Sequence, residues 1–247
     1  MLQVKTNEEI AIMREGGRIL ARMLRAVARE VRAGVSTAAL NEFAERLISD
    51  VAVTPAFKGY RNFPTALCVS VNDEVVHGVP SERVIKAGDV VGLDLGIRHR
   101  GFYTDTSVTV GVEPLSAETR RLIEVTRKAL EVGIHAAEVG ATTGDVGWAI
   151  EQFVGQHGFS VVRELVGHGV GRKPHEEPMV PNTGKPGGGV QLTVGMTLAI
   201  EPMVVTGGAR VVEGARGVWK TKDGGCAAHF EHTVAITASG PEVLTMA

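Results

Sequence analysis

Asp89–Val110, with the sequence DVVGLDLGIRHRGFYTDTSVTV, is the stretch that decides the fold of this 247-residue chain. Aliphatic and β-branched residues on both sides of a polar turn predict two antiparallel strands. If the turn is centred between His99 and Arg100, residues whose numbers sum to 199 face each other. Asp94 and Asp105 are then expected to lie directly opposite one another inside the sheet.

Two facing aspartates pose an electrostatic problem that has two solutions. Like charges in facing positions destabilise a sheet, and burial of an unpaired carboxylate is strongly unfavourable. A divalent cation between the side chains would resolve the conflict, because two anionic oxygens at this separation form half of a metal site. The alternative is a slipped register that leaves both aspartates in water. The hairpin alone favours neither solution.

Composition places the chain among globular proteins. It is 44% hydrophobic with a formal net charge of −2 and no basic block, so a DNA partner is not expected. The N-terminal segment lacks the apolar core of a signal peptide, and no apolar run approaches the roughly 18 residues that span a membrane. The only cysteines, Cys68 and Cys226, cannot form a disulfide framework. We therefore expect a cytoplasmic protein without a membrane segment.

Four amphipathic segments predict helices. Their apolar residues recur at steps of three and four, and each segment begins near a serine, threonine or asparagine that can cap it. The predicted helices run over 7–32, from Ser36 or Thr37 onward, over 116–138, and from Thr142-Thr143 onward.

The second half of the chain repeats features of the first. The offset is about 106 residues at the helix start and at the glycine before the strand that carries Glu201, and it grows after that strand because the second hairpin carries a longer loop, Gly207 to Gly225. The corresponding segments are Gly34-Val35-Ser36-Thr37 with Gly140-Ala141-Thr142-Thr143, His77-Gly78-Val79 with His168-Gly169-Val170, Gly88 with Gly195, and Asp105-Thr106-Ser107-Val108 with Glu231-His232-Thr233-Val234. We therefore predict an α+β fold in which helices back one curved antiparallel sheet. It would form a single catalytic domain of two similar halves, about 1–112 and 113–247, around a pseudo-twofold axis.

The repeat adds two equivalent acidic positions from the second half to the two aspartates of the first. Glu201 and Glu231 of the second half correspond to Asp94 and Asp105 of the first. Four carboxylates near one axis carry too much negative charge for one divalent ion and suit two metals about 3.5–4 Å apart. His168, which lies between glycines, is the expected nitrogen ligand. Such a set favours Mn(II), Fe(II) or Co(II) over Zn(II).

Other histidines have less specific patterns. By themselves, His77 and His175 are typical of solvated loop residues. His229 and His232 flank Glu231, and strand alternation places only His229 on the same face as that carboxylate. We expect both to support the ligands or to pack.

Six segments spread along the chain form one combined pattern: Asn72–Pro80, Asp94 with Asp105, Gly167–Gly171, His175–Pro178, Glu201–Met203 and Phe230–Thr233. Together they resemble the type I methionine aminopeptidases, and the resemblance covers nearly the whole chain. It implies the duplicated pita-bread fold. It also implies hydrolytic removal of the initiator methionine from nascent proteins, with preference for a small second residue.

The resemblance also implies roles for individual residues. The positions that hold two divalent metals in that family match Asp94, Asp105, His168, Glu201 and Glu231, and of these Asp105 and Glu231 bridge. A metal-activated water then serves as nucleophile, and Glu201 handles its proton. His175 would stabilise the tetrahedral oxyanion, and His77 would contact the leaving amide nitrogen.

The methionine pocket implied by the resemblance involves Tyr60, Phe63 and Cys68, together with Trp219. Apolar and aromatic contacts suit a thioether. Trp219 departs from the family pattern because it immediately precedes Lys220, whereas the tryptophan of relatives lies a few residues earlier.

The spacing of the motifs favours a minimal, bacterial-type enzyme. Only 25 residues lie between His175 and Glu201, which leaves no room for the helical insertion of type II relatives. We expect a monomer that acts transiently at the ribosome. Two alternatives remain: an X-Pro aminopeptidase or prolidase of the same fold, and a non-catalytic binding module that kept the fold.

Overall fold

Four helices pack against one curved nine-stranded antiparallel sheet in the computed structural model, which describes residues 2–246. The helices are α1 (Asn7–Glu30), α2 (Thr37–Ser49), α3 (Ala117–Ala136) and α4 (Thr143–Gln156). The strands are β1 (Thr54–Pro55), β2 (Leu67–Val71), β3 (Glu74–Val76), β4 (Val90–His99), β5 (Phe102–Gly111), β6 (Ser160–Val161), β7 (Val166–Gly169), β8 (Glu176–Pro181), β9 (Thr197–Ile200), β10 (Met203–Val205), β11 (Val211–Glu213), β12 (Trp219–Thr221), β13 (Ala227–His229), β14 (Glu231–Thr237) and β15 (Gly240–Val243). The predicted α+β architecture is confirmed.

Polar caps determine where the helices begin. The side chains of Ser36, Ser116 and Thr142 each accept a hydrogen bond from a backbone N–H in the first turn of α2, α3 and α4. At α1, Thr6 and Glu9 form a reciprocal capping box. The predicted starts are therefore confirmed, whereas α1 and α3 each end two residues earlier than predicted.

The β4–β5 hairpin has a different register from the predicted one. Its pairs run from Val90–Gly111 to His99–Phe102, so facing residues sum to 201. The predicted face-to-face pairing of Asp94 with Asp105 is wrong: Asp94 faces Ser107, and Asp105 faces Gly96. The turn is Arg100-Gly101, where both residues have positive φ, as a type I′ hairpin turn requires.

This change of register leaves the two aspartates on the same face of the sheet. Side chains alternate with a period of two, so a slip of two residues along the ladder preserves the face. Asp94 and Asp105 are diagonal neighbours, and their carboxyl groups are close enough that the charge of Asp105 raises the pKa of Asp94. Asp105 is only 6% exposed. The alternative with both side chains in water is therefore wrong as well.

Two hydrophobic cores lie between the helices and the sheet. One joins α1 and α2 to β2 and β4, with Leu20, Leu40 and Leu93 fully buried. The other joins α3 and α4 to β9 and β14, with Ile150 and Leu198 fully buried. The large sheet runs β1-β4-β5-β14-β9-β7-β8, so the β5–β14 contact is where the strands of the two cores meet.

Threonine side chains reinforce the β5–β14 junction. The ladder contains Ser107–Glu231 and Thr106–His232. Thr106 Oγ1 donates to the carbonyl of Glu231 at 2.6 Å. The hydroxyl of Thr233 accepts from Asp105 N and donates to Asp105 O. The backbone beside two of the acidic residues is thereby held by bonds that cross the junction.

The segment between β10 and β13 was predicted as a longer loop of the second hairpin, and it contains further structure. Strands β11 and β12 pair with each other, and β12 also pairs with β3. Trp219 thereby lies opposite Val76, next to His77 in the chain.

Among the described residues, no helix combines the length and apolarity needed to cross a membrane.

Candidate metal centre

Acidic residues from distant parts of the chain converge on the middle of the large sheet. One oxygen of Asp105, one of Glu231 and one imidazole nitrogen of His168 lie within 4.8 Å of one another. The charges of Asp105 and Glu201 raise the pKa of the Asp94 carboxyl group, and Glu201 Oε1 lies 3.5 Å from His168 Nε2. The structure therefore brings together all five residues that were predicted as ligands.

Glu201 differs from Asp94 in its local structure. β9 ends at Ile200 and β10 begins at Met203, so Glu201 lies in a break between two strands, not within one. Pro202 explains the break, because proline has no N–H to donate to a ladder. The amide of Asn182 donates to the carbonyl of Glu201 at 2.9 Å and holds this backbone group, which lies outside both strands.

His168 is oriented for use of its Nε2 atom. Its Nδ1 lies 2.9 Å from the carbonyl of Gly169, to which it donates, so Nε2 carries the free lone pair. Burial lowers the pKa of His168 to about 4. The ring is therefore neutral near pH 7, as a metal-ligating imidazole must be.

His175 lies on the turn before β8 and packs against two other rings. It stacks on Tyr60 with 5.3 Å between ring centroids, and its ring centroid is 4.2 Å from that of His168. Its Nδ1 is 3.2 Å from the Tyr60 hydroxyl. Desolvation and the neighbouring His168 lower the pKa of His175 to about 3, although part of the ring is exposed.

His77 occupies a constrained backbone position beside β3. Its φ is 59°, in the left-handed region that few non-glycine residues adopt. The next residue must be small, because a Cβ on Gly78 would lie 2.1 Å from the carbonyl oxygen of Val69. Desolvation lowers the pKa of His77, and His77 in turn lowers that of His175. The two histidines therefore belong to one electrostatic group.

The predicted pocket residues fall into two clusters. Cys68 is buried and is the ladder partner of Asp94, and Phe63 packs against the cluster that contains it. Burial and the nearby Asp94 carboxylate raise the pKa of the Cys68 thiol, which keeps it neutral. Trp219 packs in a different cluster, around Val76 and Met203. Its place in the methionine pocket stays a prediction.

Among residues 2–246, no cationic side chain contributes to the pKa shifts of the four clustered carboxyl groups. Burial is the largest cause that raises the pKa of Asp94, Glu201 and Glu231 well above the usual range, with repulsion among the carboxylates second. Desolvation also raises the pKa of Asp105 to about 7. The buried Oδ1 atoms of Asp94 and Asp105 have no hydrogen-bond partner among the described residues.

Comparison with known proteins assigns the chain that carries this site to a protein family. The sequence pattern of metallopeptidase family M24 matches residues 11–238. The chain belongs to metallopeptidase family M24. A methionine aminopeptidase of Clostridium perfringens is 45% identical over 248 residues, which cover 100% of this chain and 99% of that protein. The crystal structure of methionine aminopeptidase from Thermotoga maritima has a TM-score of 0.98 and 44% identity, and all of both chains is covered.

The same fold extends to prolidases. A prolidase from Pyrococcus furiosus has a TM-score of 0.81 at 24% identity, with 99% of this chain but only 65% of that chain covered. At this identity the likeness concerns the fold alone. The predicted pita-bread fold and the predicted family resemblance of this M24 metallopeptidase are both confirmed.

The site of this metallopeptidase fits a divalent cation. Unpartnered, buried carboxylate oxygens are costly unless a cation or proton neutralises them. Oxygen ligands with one neutral imidazole are a donor set that divalent transition ions accept. Among the described residues, Asp105, His168 and Glu231 are the group whose ligand atoms meet the spacing for one ion.

His229 lies beside a proposed ligand of this M24 site, which agrees with the expectation that it supports the ligands or packs. His229, at the end of β13, is 4% exposed and points its Nε2 toward Glu201 Oε2 at 3.6 Å. Burial lowers its pKa to about 3, so it is neutral. The signal was its position two residues before Glu231, but the contact with Glu201 depends on the β10–β13 pairing. His232 instead packs on the other side, with its Nδ1 2.9 Å from Thr245 Oγ1.

Proposed function

We propose that this metallopeptidase removes the N-terminal methionine of polypeptides by hydrolysis, with preference for a small second residue. The observation that carries the proposal is the convergence of Asp105, His168 and Glu231 within 4.8 Å. It occurs in a chain that is similar to methionine aminopeptidases over its whole length. Proteins of that name are its relatives, and the activity is our inference for this chain.

Five residues would hold two divalent ions: Asp94, Asp105, His168, Glu201 and Glu231. Asp105 and Glu231 would each contribute carboxylate oxygens from adjacent strands at the β5–β14 junction. Mn(II), Fe(II) or Co(II) suits this set better than Zn(II), because oxygen ligands predominate. When bound, such ions lower the pKa of a water and so supply a nucleophile at neutral pH.

The protein's own groups would handle protons and orient the substrate. Glu201 would accept the proton of the attacking water, since its carboxylate lies between His168 and His229. His77, which belongs to one electrostatic group with His175, would contact the amide nitrogen of the leaving group.

The role proposed for His175 fixes its tautomer. To donate from Nε2 to the oxyanion that develops on the substrate carbonyl, the neutral ring must accept at Nδ1. The Tyr60 hydroxyl, 3.2 Å from Nδ1, can supply that hydrogen bond. Tyr60 would therefore hold His175 in the donating tautomer.

The methionine side chain would lie against an apolar wall beside the carboxylates. Phe63 and Cys68 supply the wall next to Asp94, and Tyr60 closes it on the side of His175. Trp219 is proposed for the opposite side. Soft, polarisable contacts of this kind suit a thioether.

We further propose that the chain acts as a single catalytic domain of two halves, about 1–112 and 113–247. Asp94 and Asp105 come from the first half and the other ligands from the second, so neither half would hold both ions alone. A monomer in the cytoplasm that meets nascent chains near the ribosome fits this minimal design.

The test is release of free methionine from the peptides Met-Ala-Ser and Met-Leu-Ser. Metal-free protein is reconstituted separately with Mn(II), Fe(II), Co(II) and Zn(II), and an Ala-Pro peptide serves as the alternative substrate. We expect release from Met-Ala-Ser only, and less with Zn(II) than with the other ions. Preferential cleavage of Ala-Pro would instead indicate a prolidase-type enzyme. Tight peptide binding without turnover under all conditions would indicate a binding module.

A further inference from the structure

The turn that carries His175 has little regular structure of its own. Residues 170–175 connect β7 to β8 outside any strand or helix. The ring of His175 contacts Tyr60 and His168, and these contacts fix the ring plane but not the backbone beneath it. The position of His175 therefore depends on what holds the turn.

The side chain of Glu176 stabilises this turn through hydrogen bonds to both of its carboxylate oxygens. Its Oε1 accepts a hydrogen bond from the backbone N–H of Lys173 at 2.9 Å. Its Oε2 accepts one from Lys5 Nζ at 2.5 Å. The carboxylate thus bridges residues 173 and 176 on either side of His175, with both oxygens in use.

Lys5 reaches this carboxylate from the start of the chain. The backbone N–H of Lys5 donates to the carbonyl of Gly195 at 2.8 Å, just before β9. Its side chain then passes directly over Gly171, where a Cβ would lie 2.3 Å from Lys5 Cε. A glycine at 171 is therefore needed for the lysine to reach Glu176.

The ion pair is shielded from water. The side chains of Lys5 and Glu176 are each 1% exposed. Removal of one partner from a buried pair leaves an uncompensated charge and is strongly destabilising, whereas an apolar pair of similar volume would be about as stable. The contacts of this pair with the chain join the N-terminal segment to the turn under His175, because Glu176 also accepts the hydrogen bond from the backbone N–H of Lys173.

We propose that Lys5 is a positioning residue for the reaction: through its buried ion pair with Glu176 it holds the turn that places His175 against Tyr60 and His168. The inference rests on the proposed function for its catalytic consequence. The N-terminal segment is then part of the active-site support, although it lies 170 residues from His175 in the sequence.

The test compares Lys5→Met and Glu176→Gln with Arg172→Met. Arg172 lies on the same connection and pairs with Glu9 of α1, but its side chain is 42% exposed, so it is the matched control. With Met-Ala-Ser, we expect kcat to fall by about 10- to 100-fold in Lys5→Met and Glu176→Gln with KM nearly unchanged. Arg172→Met should keep the wild-type kcat.

Thermal unfolding of each variant checks that it is folded. If Lys5→Met does not fold, Glu176→Gln is the second variant, because glutamine keeps a side-chain oxygen that can accept the hydrogen bond from the backbone N–H of Lys173.

A double-mutant cycle tests whether Lys5 acts through His175. In a His175→Ala background, Lys5→Met should reduce kcat by less than about twofold. An equal further loss in that background would overturn the proposal.

A readout that needs no activity separates this proposal from the proposed function. In ¹⁵N NMR of the histidine rings of the metal-free protein, the His175 signals should shift in Lys5→Met and stay unchanged in Arg172→Met. If the wild-type protein releases no methionine, the proposed function fails and the NMR result still decides the role of Lys5. Unshifted His175 signals in Lys5→Met would overturn the positioning role.

Discussion

Individual carboxylates of the candidate metal centre suit metal binding but lower the stability of the metal-free folded protein. In Asp94 and Glu231, burial and mutual repulsion raise the pKa of the carboxyl groups well above the usual range. A group whose pKa is higher in the folded than in the unfolded protein favours folding at low pH, and this contribution is lost as the pH rises through the folded-state pKa. The metal-free protein should therefore be strained at neutral pH and above.

Asp94→Asn should separate stability from activity. Removal of one charge should raise the stability of the metal-free protein by about 1–3 kcal/mol at pH 8, because it relieves repulsion and keeps the volume. Turnover should fall by at least about 100-fold, because a ligand is lost. The gain in stability should shrink toward pH 3.8, the ordinary pKa of an aspartate, because Asp94 then becomes protonated in the unfolded chain as well as in the folded protein. Urea unfolding over this pH range and a methionine-release assay measure both effects.

The control for this variant is Glu113→Gln, which alters an exposed carboxylate paired with Arg120. Glu113→Gln should change neither the stability of the metal-free protein nor its turnover appreciably, since exposed ion pairs contribute about 0–1 kcal/mol. Undiminished turnover in Asp94→Asn would contradict the assignment of this residue as a ligand.

The hydroxyl of Tyr60 provides a second test at the residue scale. Tyr60→Phe keeps the ring that stacks on His175 but removes the hydroxyl 3.2 Å from its Nδ1. We expect kcat to fall by about 10-fold with little change in KM, because the donating tautomer of His175 is no longer favoured. The chain has one other tyrosine, Tyr103, and Tyr103→Phe serves as the control. Equal kinetics for the two variants would argue against the tautomer role.

At the scale of elements, the β4–β5 hairpin sets the geometry of the first two ligands. The Arg100-Gly101 turn closes the hairpin in this register, and alternation along each strand determines the face on which a side chain lies. The ladder of ten pairs is long enough to hold this register even if the turn is strained. Stability and activity should therefore respond differently to changes in the turn.

Gly101→Ala should lower the stability of the protein without loss of activity. The φ of Gly101 is 94°, which costs an alanine about 1–2 kcal/mol. The free energy of unfolding should fall by that amount while kcat/KM stays at the wild-type value. Arg100→Asn is the matched change, because asparagine tolerates the φ of 48° at this position better than arginine does. A large loss of activity in Gly101→Ala would mean that the turn, not the ladder, holds the register.

At the scale of the whole molecule, the proposed ligand set spans both hydrophobic cores. Asp105 lies on β5, and Glu231 lies on β14, where the strands of the two cores pair. An ion bound there would connect both parts of the sheet. Its binding should stabilise the molecule as one unit.

Addition of Mn(II) should shift one cooperative unfolding transition. At about 100 times the dissociation constant the ion should add about 2.7 kcal/mol, or roughly 5–10 °C in Tm for a chain of this size. Calorimetry with and without EDTA measures the shift, and hydrogen exchange should show increased protection in both β4–β5 and β9–β14. Two separate transitions, with only one sensitive to Mn(II), would contradict the view that the ions link the two parts.

The sequence by itself determined the features that depend on near neighbours. Capping residues such as Ser36, Ser116 and Thr142 specify helix starts, because a cap acts within one turn. Alternation placed Asp94 and Asp105 on one face, and this prediction survived an error of two residues in the register because the period is two. The internal repeat, together with the family resemblance, was enough to assemble the five proposed ligands.

Only the tertiary structure decided the contacts between segments that are far apart in the chain. The register of β4–β5, the approach of His229 to Glu201 and the passage of Lys5 over Gly171 to Glu176 have no periodic signal. Each depends on which turn closes, which strands become neighbours and which volumes are already filled. These are properties of the packed molecule, and the local pattern of residues carries no record of them.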